Sequence, residues 1–161
     1  MRFVLTIAAA LLAAPALASG DHADHEGHEG HDMDHMADLA RFGAPGDPAK
    51  ADRTITIKAH EMAYDIGTLD VRTGETIKFV LVNEGTQSHE LGIGDAEYFA
   101  AHRKMMATME MDHGDMPNMT VAKMGETKSF AWTFTKAGAF EFACSMPGHA
   151  ELGMIGEIIV K

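Results

Sequence analysis

Residues 139–160 read AFEFACSMPGHAELGMIGEIIV, and this stretch contains the single cysteine of the chain. AFEFAC and GEIIV have the alternating, apolar character of β-strands. The segment between them contains Pro147 and Gly148, which interrupt regular structure. The stretch therefore predicts a strand, a tight loop and a closing strand, with Cys144, His149 and Met154 carried together on the loop.

Similar short segments recur from residue 53 onward, separated by turn sequences such as RTGE, NEGT and KAGA. They are TITIKA, TLDVRTG, TIKFVLVNEG, HELGIG and TKSFAWTFTKAG. With the two strands above they make seven candidate strands, each rich in β-branched or aromatic residues. This pattern predicts an all-β fold, an antiparallel sandwich or barrel.

The segment DAEYFAAHRKMMATMEM (residues 95–111) interrupts the strand pattern. It has no β-branched runs, and Tyr98, Met105 and Met109 are spaced to share one face of a helix. We predict a short helix inserted between strands, followed by a loop over DHGDMPNMT.

The first residues, MRFVLTIAAALLAAPALASG, have the basic start, apolar run and small residues of a secretory signal peptide. We predict that residues 1–18 are removed on export to a bacterial periplasm. No later segment approaches the ~20 apolar residues of a membrane-spanning helix, so no membrane span is expected. Cysteines in an oxidising compartment usually pair, and Cys144 has no partner in its own chain.

Residues 19–50 begin with GDHADHEGHEGHDMDHM and end with GAPGDPAK. We predict a disordered tail and linker there, because the segment has too little apolar surface to fold, and a folded domain over residues 51–161. The segment is either an acidic spacer or a flexible chelator for borderline divalent metal ions, and composition alone does not identify the ion. Its histidines recur every three or four residues: His22, His25, His28, His31 and His35.

The formal net charge is -11, with 24 acidic and 13 basic residues. This balance repels phosphate backbones and anionic lipids, so it argues against nucleic-acid and membrane-surface partners. It favours cations. The chain also has 10 histidines and 13 methionines, whose side chains are both metal ligands.

A second histidine, His89, begins the predicted strand HELGIG. If that strand lies beside the last hairpin, His89 reaches the loop that carries Cys144 and His149. One thiolate, two imidazoles and a weak axial thioether, here from Met154, form a blue-copper site for electron transfer. Coordination would also keep the lone thiol engaged.

The ordered set His89, Cys144, His149 and Met154, with the loop sequence CSMPGHAELGM, resembles the cupredoxins (type 1 copper proteins). Within that family it is most similar to the rusticyanin branch and to the periplasmic copper-tolerance cupredoxins called CopI-like. The resemblance covers residues 51–161 and implies a Greek-key β-sandwich with one copper at one pole. Glu90 departs from the family, which commonly has Asn or Ser there, and so puts the hydrogen bonding near the sulfur in question.

Other readings of the same residues are open. Cys144 is a poor nucleophile candidate, because no helix N-terminus is predicted beside it to lower its pKa. His60 and His102 are expected at the surface. The methionines of the insertion either pack in the core or form a second Cu(I) surface; they are Met105, Met106, Met109, Met111, Met116, Met119 and Met124, with His113 among them.

Two roles follow. In copper tolerance the protein would bind and redox-cycle copper, with the histidine tail and methionine insertion as capture surfaces. As an electron carrier it would dock a periplasmic redox partner against an apolar patch of Met146, Pro147, Ala150 and Leu152. The capture surfaces favour copper tolerance. A cuprous oxidase would need a route for oxygen, so we expect no enzyme activity.

Overall fold

The computed structural model describes residues 39–106 and 116–161. Its strands are β1 (Ala44–Pro45), β2 (Arg53–His60), β3 (Ala63–Tyr64), β4 (Thr68–Val71), β5 (Thr76–Asn83), β6 (His89–Gly94), β7 (Met119–Ala122), β8 (Thr127–Thr133), β9 (Gly138–Ala143) and β10 (Ile155–Val160). Helix α1 (Ala96–Met106) lies between β6 and β7, and 3-10 turns cover Pro48–Lys50 and Ala150–Leu152.

The strands form two five-stranded sheets, with orders β1-β8-β5-β2-β3 and β4-β10-β9-β6-β7. The predicted β-sandwich and its inserted helix are therefore confirmed. Among the described residues, six of the eight strand pairings are antiparallel, as the sequence predicts, whereas β2 pairs with β5, and β4 with β10, in parallel. Strand β4 lies in the other sheet from β2 and β5, so the chain returns to β2 by a crossover instead of a hairpin.

The core lies between the sheets. Strand β5 shows why the sequence folds this way, since its eight residues alternate between partly buried and buried positions. Its inward residues, among them Phe79, belong to one core that also includes Trp132 of β8 and Phe142 of β9. All three of these aromatic side chains are fully buried.

Three strands were not predicted. Strands β1 and β3 have two residues each, too few to show an alternating pattern. Strand β7 contains Met119 and Thr120, for which the sequence predicts the end of a loop. It forms by pairing with β6, and that long-range pairing leaves little local signal.

The structured chain also begins earlier than predicted. Leu39 and Phe42 are buried in the core, and Ala44 of β1 is paired with Thr133 of β8. For residues 39–50 the expected disorder is therefore wrong, because two apolar side chains anchor this segment. The predicted signal peptide and the five tail histidines lie outside the described residues.

One pole of the sandwich gathers the elements that matter for function. Strand β6 begins there at His89, β9 ends there at Ala143, and β10 begins there at Ile155. Helix α1 follows directly after β6 and covers part of that strand. The predicted helix is thus observed over Ala96–Met106, and residues 107–111 of the prediction lie outside the described residues.

Candidate metal centre

The loop between β9 and β10 is closed by its own backbone. The Cys144 amide donates a 3.1 Å hydrogen bond to the Met154 carbonyl, and the Met154 amide donates one of 3.1 Å to the His149 carbonyl. Gly153 permits this return with a left-handed φ of 104°. The loop therefore holds all three predicted side chains on a short, hydrogen-bonded frame.

His89 is positioned by the segment that precedes it. The Asn83 side chain donates to the carbonyls of Gln87 (2.7 Å) and Ala122 (2.9 Å), and it accepts from the Gly85 amide (2.9 Å). Asn83 is buried, so these bonds are shielded from water. Sequence reasoning identified only a turn at NEGT and missed this anchor, since its partners come from two different segments.

Glu61 holds the same segment from the outside. Its carboxylate accepts hydrogen bonds from the Thr86 amide, the Thr86 hydroxyl (3.0 Å) and the Gln87 amide (3.3 Å). These bonds lower the pKa of the Glu61 carboxyl, because they favour its charged form. No sequence signal pointed to Glu61.

The structure brings His89, Cys144 and His149 together. One ligand atom from each lies within 4.8 Å of the others. Cys144 Sγ lies 3.3 Å from His149 Nδ1, and the two imidazole centroids are 5.1 Å apart. All three side chains are buried, with His149 the most accessible at 7%.

The donor set fits a metal ion. Both ring nitrogens of His89 are buried and have no hydrogen-bond partner among the described residues. Such groups are costly to bury unless something binds them. Thiolate and imidazole are the ligand types that suit copper. Met154 is fully buried, and its backbone is joined to both Cys144 and His149.

Without a metal, burial shifts the pKa of the Cys144 thiol and that of the His89 imidazole in opposite directions. Burial raises the pKa of Cys144 to about 12, although the amides of Glu90 and Met146 partly favour the thiolate. The thiol is therefore protonated and unreactive at neutral pH until a metal displaces its proton. Burial and the neighbouring His149 lower the pKa of His89, which keeps that imidazole neutral and able to bind metal.

Glu90 contributes a backbone hydrogen bond to the sulfur although its side chain differs from the common Asn or Ser. Its amide donates to Cys144 Sγ at 3.4 Å. Its carbonyl accepts a hydrogen bond from the Tyr64 hydroxyl. Glu90 is itself fully buried.

The two other histidines of the described domain behave differently from each other. His60 is exposed, as predicted, and its Nε2 lies 3.7 Å from Glu84 Oε2. The expectation that His102 is a surface residue was wrong, since only 3% of it is exposed. Helix α1 packs closely on β6, where two glycines leave room, and this buries the His102 face.

The methionines of the insertion divide in a similar way. Met119 is buried in the core and Met116 packs against it, which supports the packing reading for these two residues. Met124 is 66% exposed. Met109, Met111 and His113 lie outside the described residues, so a Cu(I) surface formed with them stays a prediction.

The predicted apolar patch is only partly at the surface. Leu152 is 67% exposed and Pro147 is exposed, whereas Met146 is partly buried and Ala150 is buried.

The described part of the chain has no helix of the length and hydrophobicity that a bilayer crossing needs.

Comparison with known proteins identifies the family. Residues 51–161 match the model for copper-binding proteins of the plastocyanin/azurin family. The copper-resistant cuproprotein CopI of Rubrivivax gelatinosus is 43% identical over 122 residues, which cover 74% of this chain and 73% of that protein. CopI of Pseudomonas aeruginosa is 36% identical over 149 residues, covering 74% and 82%.

The solved structures agree. Reduced auracyanin from the photosynthetic bacterium Roseiflexus castenholzii aligns with a TM-score of 0.58 at 28% identity, covering 69% of this chain and 98% of that one. Auracyanin B aligns with a TM-score of 0.61 at 20% identity, which supports the shared fold. The rusticyanin of Acidithiobacillus ferrooxidans is 33% identical over 96 residues, or 58% of this chain and 60% of that protein. The chain is therefore a cupredoxin, a member of the plastocyanin/azurin family of copper-binding proteins.

Proposed function

We propose that the protein binds one copper ion through His89, Cys144 and His149, with Met154 as a weak axial ligand, and that it serves copper tolerance. The observation that carries the proposal is the buried cluster of donor atoms within 4.8 Å of one another. Bound there, copper would supply a one-electron couple between Cu(I) and Cu(II). The protein's part is to hold the donors in a geometry that changes little with oxidation state.

Several contacts suit that task. The closed backbone of the loop restrains Cys144 and Met154, and Asn83 restrains the segment before His89. The amide of Glu90 aimed at the sulfur stabilises negative charge on it. The residues therefore form a preorganised site, which limits the rearrangement that electron transfer would require.

The names of the curated relatives favour tolerance as the role. The two CopI proteins are called copper-resistant cuproproteins and resemble this chain over 74% of its length. We extend that role to this protein. The histidine-rich segment over residues 21–36 would act as a capture arm, with exposed Met124 as part of a second, thioether surface.

Export to the periplasm belongs to the same proposal. The signal-like residues 1–18 support it, and copper handling outside the cytoplasm is consistent with a buried thiol that needs no disulfide partner. The partners would be copper ions and a transient copper-handling or redox protein.

An electron carrier is the second candidate. His149 is the most accessible of the three donors, and exposed Leu152 and Pro147 flank it on the same loop. Such an apolar rim suits a brief redox encounter. Cuprous oxidase activity has less support, because His89, Cys144 and His149 are the single His/Cys/Asp/Glu metal cluster among the described residues.

A deletion strain separates the two roles. Loss of the protein should make the host copper-sensitive, with full rescue by the whole chain and none by Cys144→Ser. A version without residues 21–36 should rescue partly. The exposed-site variant Lys123→Ala is the matched control and should rescue fully.

The carrier hypothesis expects another phenotype, a respiratory or photosynthetic defect at low copper with normal tolerance. Metal content adds a second test. At pH 7 the arm should bind extra Cu(II) and release it as pH falls through about 6.5, the ordinary imidazole pKa. Normal tolerance in the deletion strain, with one copper per full-length chain, would defeat the tolerance proposal.

A further inference from the structure

The side chain of Glu90 is a buried carboxylate that the metal ligand set does not use. It is 0% exposed and directly follows His89. Burying a carboxylate is unfavourable unless hydrogen bonds or an opposite charge offset the loss of hydration. The position of this group therefore calls for a role.

Glu90 connects two strands beyond the end of their ladder. The pairing of β6 with β9 ends at Gly92 opposite Ala143. Past that point, the Glu90 amide donates to Cys144 Sγ at 3.4 Å, and Glu90 Oε1 accepts from the Ser145 amide at 3.2 Å. One residue thus holds both the sulfur and the backbone immediately after it.

The other carboxylate oxygen faces helix α1. Glu90 Oε2 lies 3.9 Å from His102 Nε2, and both side chains are almost fully buried, at 0% and 2% exposure. At this distance the polar edge of the imidazole faces the carboxylate, although the separation exceeds that of a direct hydrogen bond. The inserted helix therefore reaches the residue that holds the sulfur.

Two glycines of β6 make this approach feasible. A Cβ at Gly92 would lie 3.2 Å from the Phe99 ring, and one at Gly94 would lie 2.5 Å from the Tyr98 ring. Glu90, Gly92 and Gly94 share one side of β6, because side chains alternate along a strand. That side is the one the helix covers.

We propose that Glu90 is a positioning residue for the copper centre, and that His102 on the inserted helix holds its carboxylate in place. The carboxylate anchors the Ser145 amide and so sets the direction of the Cys144 sulfur. This inference rests on the proposed copper site. It assigns the helical insertion a part in shaping that site in addition to carrying the methionine-rich segment.

The test uses the copper-loaded full chain and three readouts: the thiolate-to-copper absorption band, the electron paramagnetic resonance of Cu(II), and the reduction potential. Glu90→Ala removes the acceptor of the Ser145 amide. It should shift the band and the potential and weaken Cu(II) binding about 10- to 100-fold, the usual cost of losing a partner behind a metal ligand.

Glu90→Gln keeps a side-chain oxygen that can accept from Ser145. It should fold and retain a band much closer to wild type than that of Glu90→Ala. If Glu90→Gln is as altered as Glu90→Ala, or if Glu90→Ala leaves band and potential unchanged, the positioning role is overturned.

His102→Phe tests the helix, because it keeps a ring but loses the nitrogens. It should shift the band in the same direction as Glu90→Ala by a smaller amount. Phe99→Leu is the matched control on the same helix, since Phe99 faces the glycines of β6. It should lower the midpoint of chemical unfolding and leave the band unchanged.

An unchanged band in His102→Phe, or an equal shift in Phe99→Leu, overturns the part assigned to His102. The wild-type chain distinguishes this inference from the proposed function. Absence of a Cys144-dependent band in wild type would defeat the copper site itself, whereas a normal wild-type band with unaltered Glu90 variants would defeat only the positioning role.

Discussion

The backbone amide of Cys144 and the carbonyl oxygen of Met154 form a 3.1 Å hydrogen bond across the mouth of the loop. Ten positions apart in sequence, these residues are neighbours in space because the loop turns back at Gly153. This hydrogen bond therefore fixes the separation of the two backbone positions that carry the thiol and the thioether. A metal bound between them would meet a rigid frame.

The first prediction concerns the thiolate. The protein loaded with Cu(II) should show an intense visible band from thiolate-to-copper charge transfer, and Cys144→Ser should abolish it, because a hydroxyl is a poor soft donor. Absorption spectroscopy of the purified protein measures this. A colourless wild-type complex, or a band that survives the substitution, would contradict the assignment.

A second prediction tests Met154 as the axial ligand. Met154→Leu should keep copper bound while raising the reduction potential, because loss of the axial donor disfavours the more electron-poor Cu(II). The swap conserves side-chain volume, so the cost in folding free energy should stay below about 1.5 kcal/mol. Voltammetry of the loaded protein gives the potential. Complete copper loss or an unchanged potential would show that Met154 is not axial.

The third prediction concerns pH. Burial raises the pKa of Cys144 to about 12, so the free thiol is protonated at every pH below that value. Each copper bound must then displace one proton, and the apparent affinity should rise about tenfold per pH unit from pH ~7 to ~9. Competition for Cu(I) against a chelator of known affinity measures the slope.

At acidic pH, protonation of His89 should lower the apparent copper affinity further. The lowered pKa of His89 keeps its imidazole neutral below the usual range, so the slope should steepen only at a pH below about 6.5. Met154→Leu is the matched control, because a thioether does not titrate and its removal should leave the slope intact. A flat profile above neutral pH would mean that Cys144 does not bind the metal as a thiolate.

A fourth prediction concerns the anchor of His89. Asn83→Ala removes three hydrogen bonds of a buried side chain, so the free energy of unfolding should fall by about 3 kcal/mol. Copper should also dissociate faster, because the segment before His89 loses its restraint. Chemical denaturation of the apo-protein and chelator-induced copper release measure the two effects.

Asn118→Ala supplies the control for that experiment. Asn118 is also fully buried, and its side chain donates a 2.8 Å hydrogen bond to the Ile93 carbonyl. Ile93 lies in the same strand as His89, toward the opposite end of that strand. Asn118→Ala should lower stability with little change in the rate of copper release. Equal release rates in the two variants would refute a specific role for Asn83.

The sequence by itself determined the local features of this protein. The alternation in β5, the breakers in the loop after β9 and the helical spacing after residue 95 all depend on near neighbours, so they could be read without coordinates. Cys144, His149 and Met154 also lie within one short segment, so their order and spacing are visible in the sequence. These residues predicted a β-sandwich and a soft-metal loop.

Only the tertiary structure decided how distant segments meet. His89 lies with Cys144 and His149 because β6 pairs beside β9, and strand order between remote segments is set by the packing of the whole core. The same holds for the burial of His102 against Glu90 and for Leu39 and Phe42 anchoring the chain before residue 51. Long-range contacts are stabilised by the burial of apolar surface from many residues at once. Because this effect is not directional, the local sequence pattern does not show which distant segments will pack together.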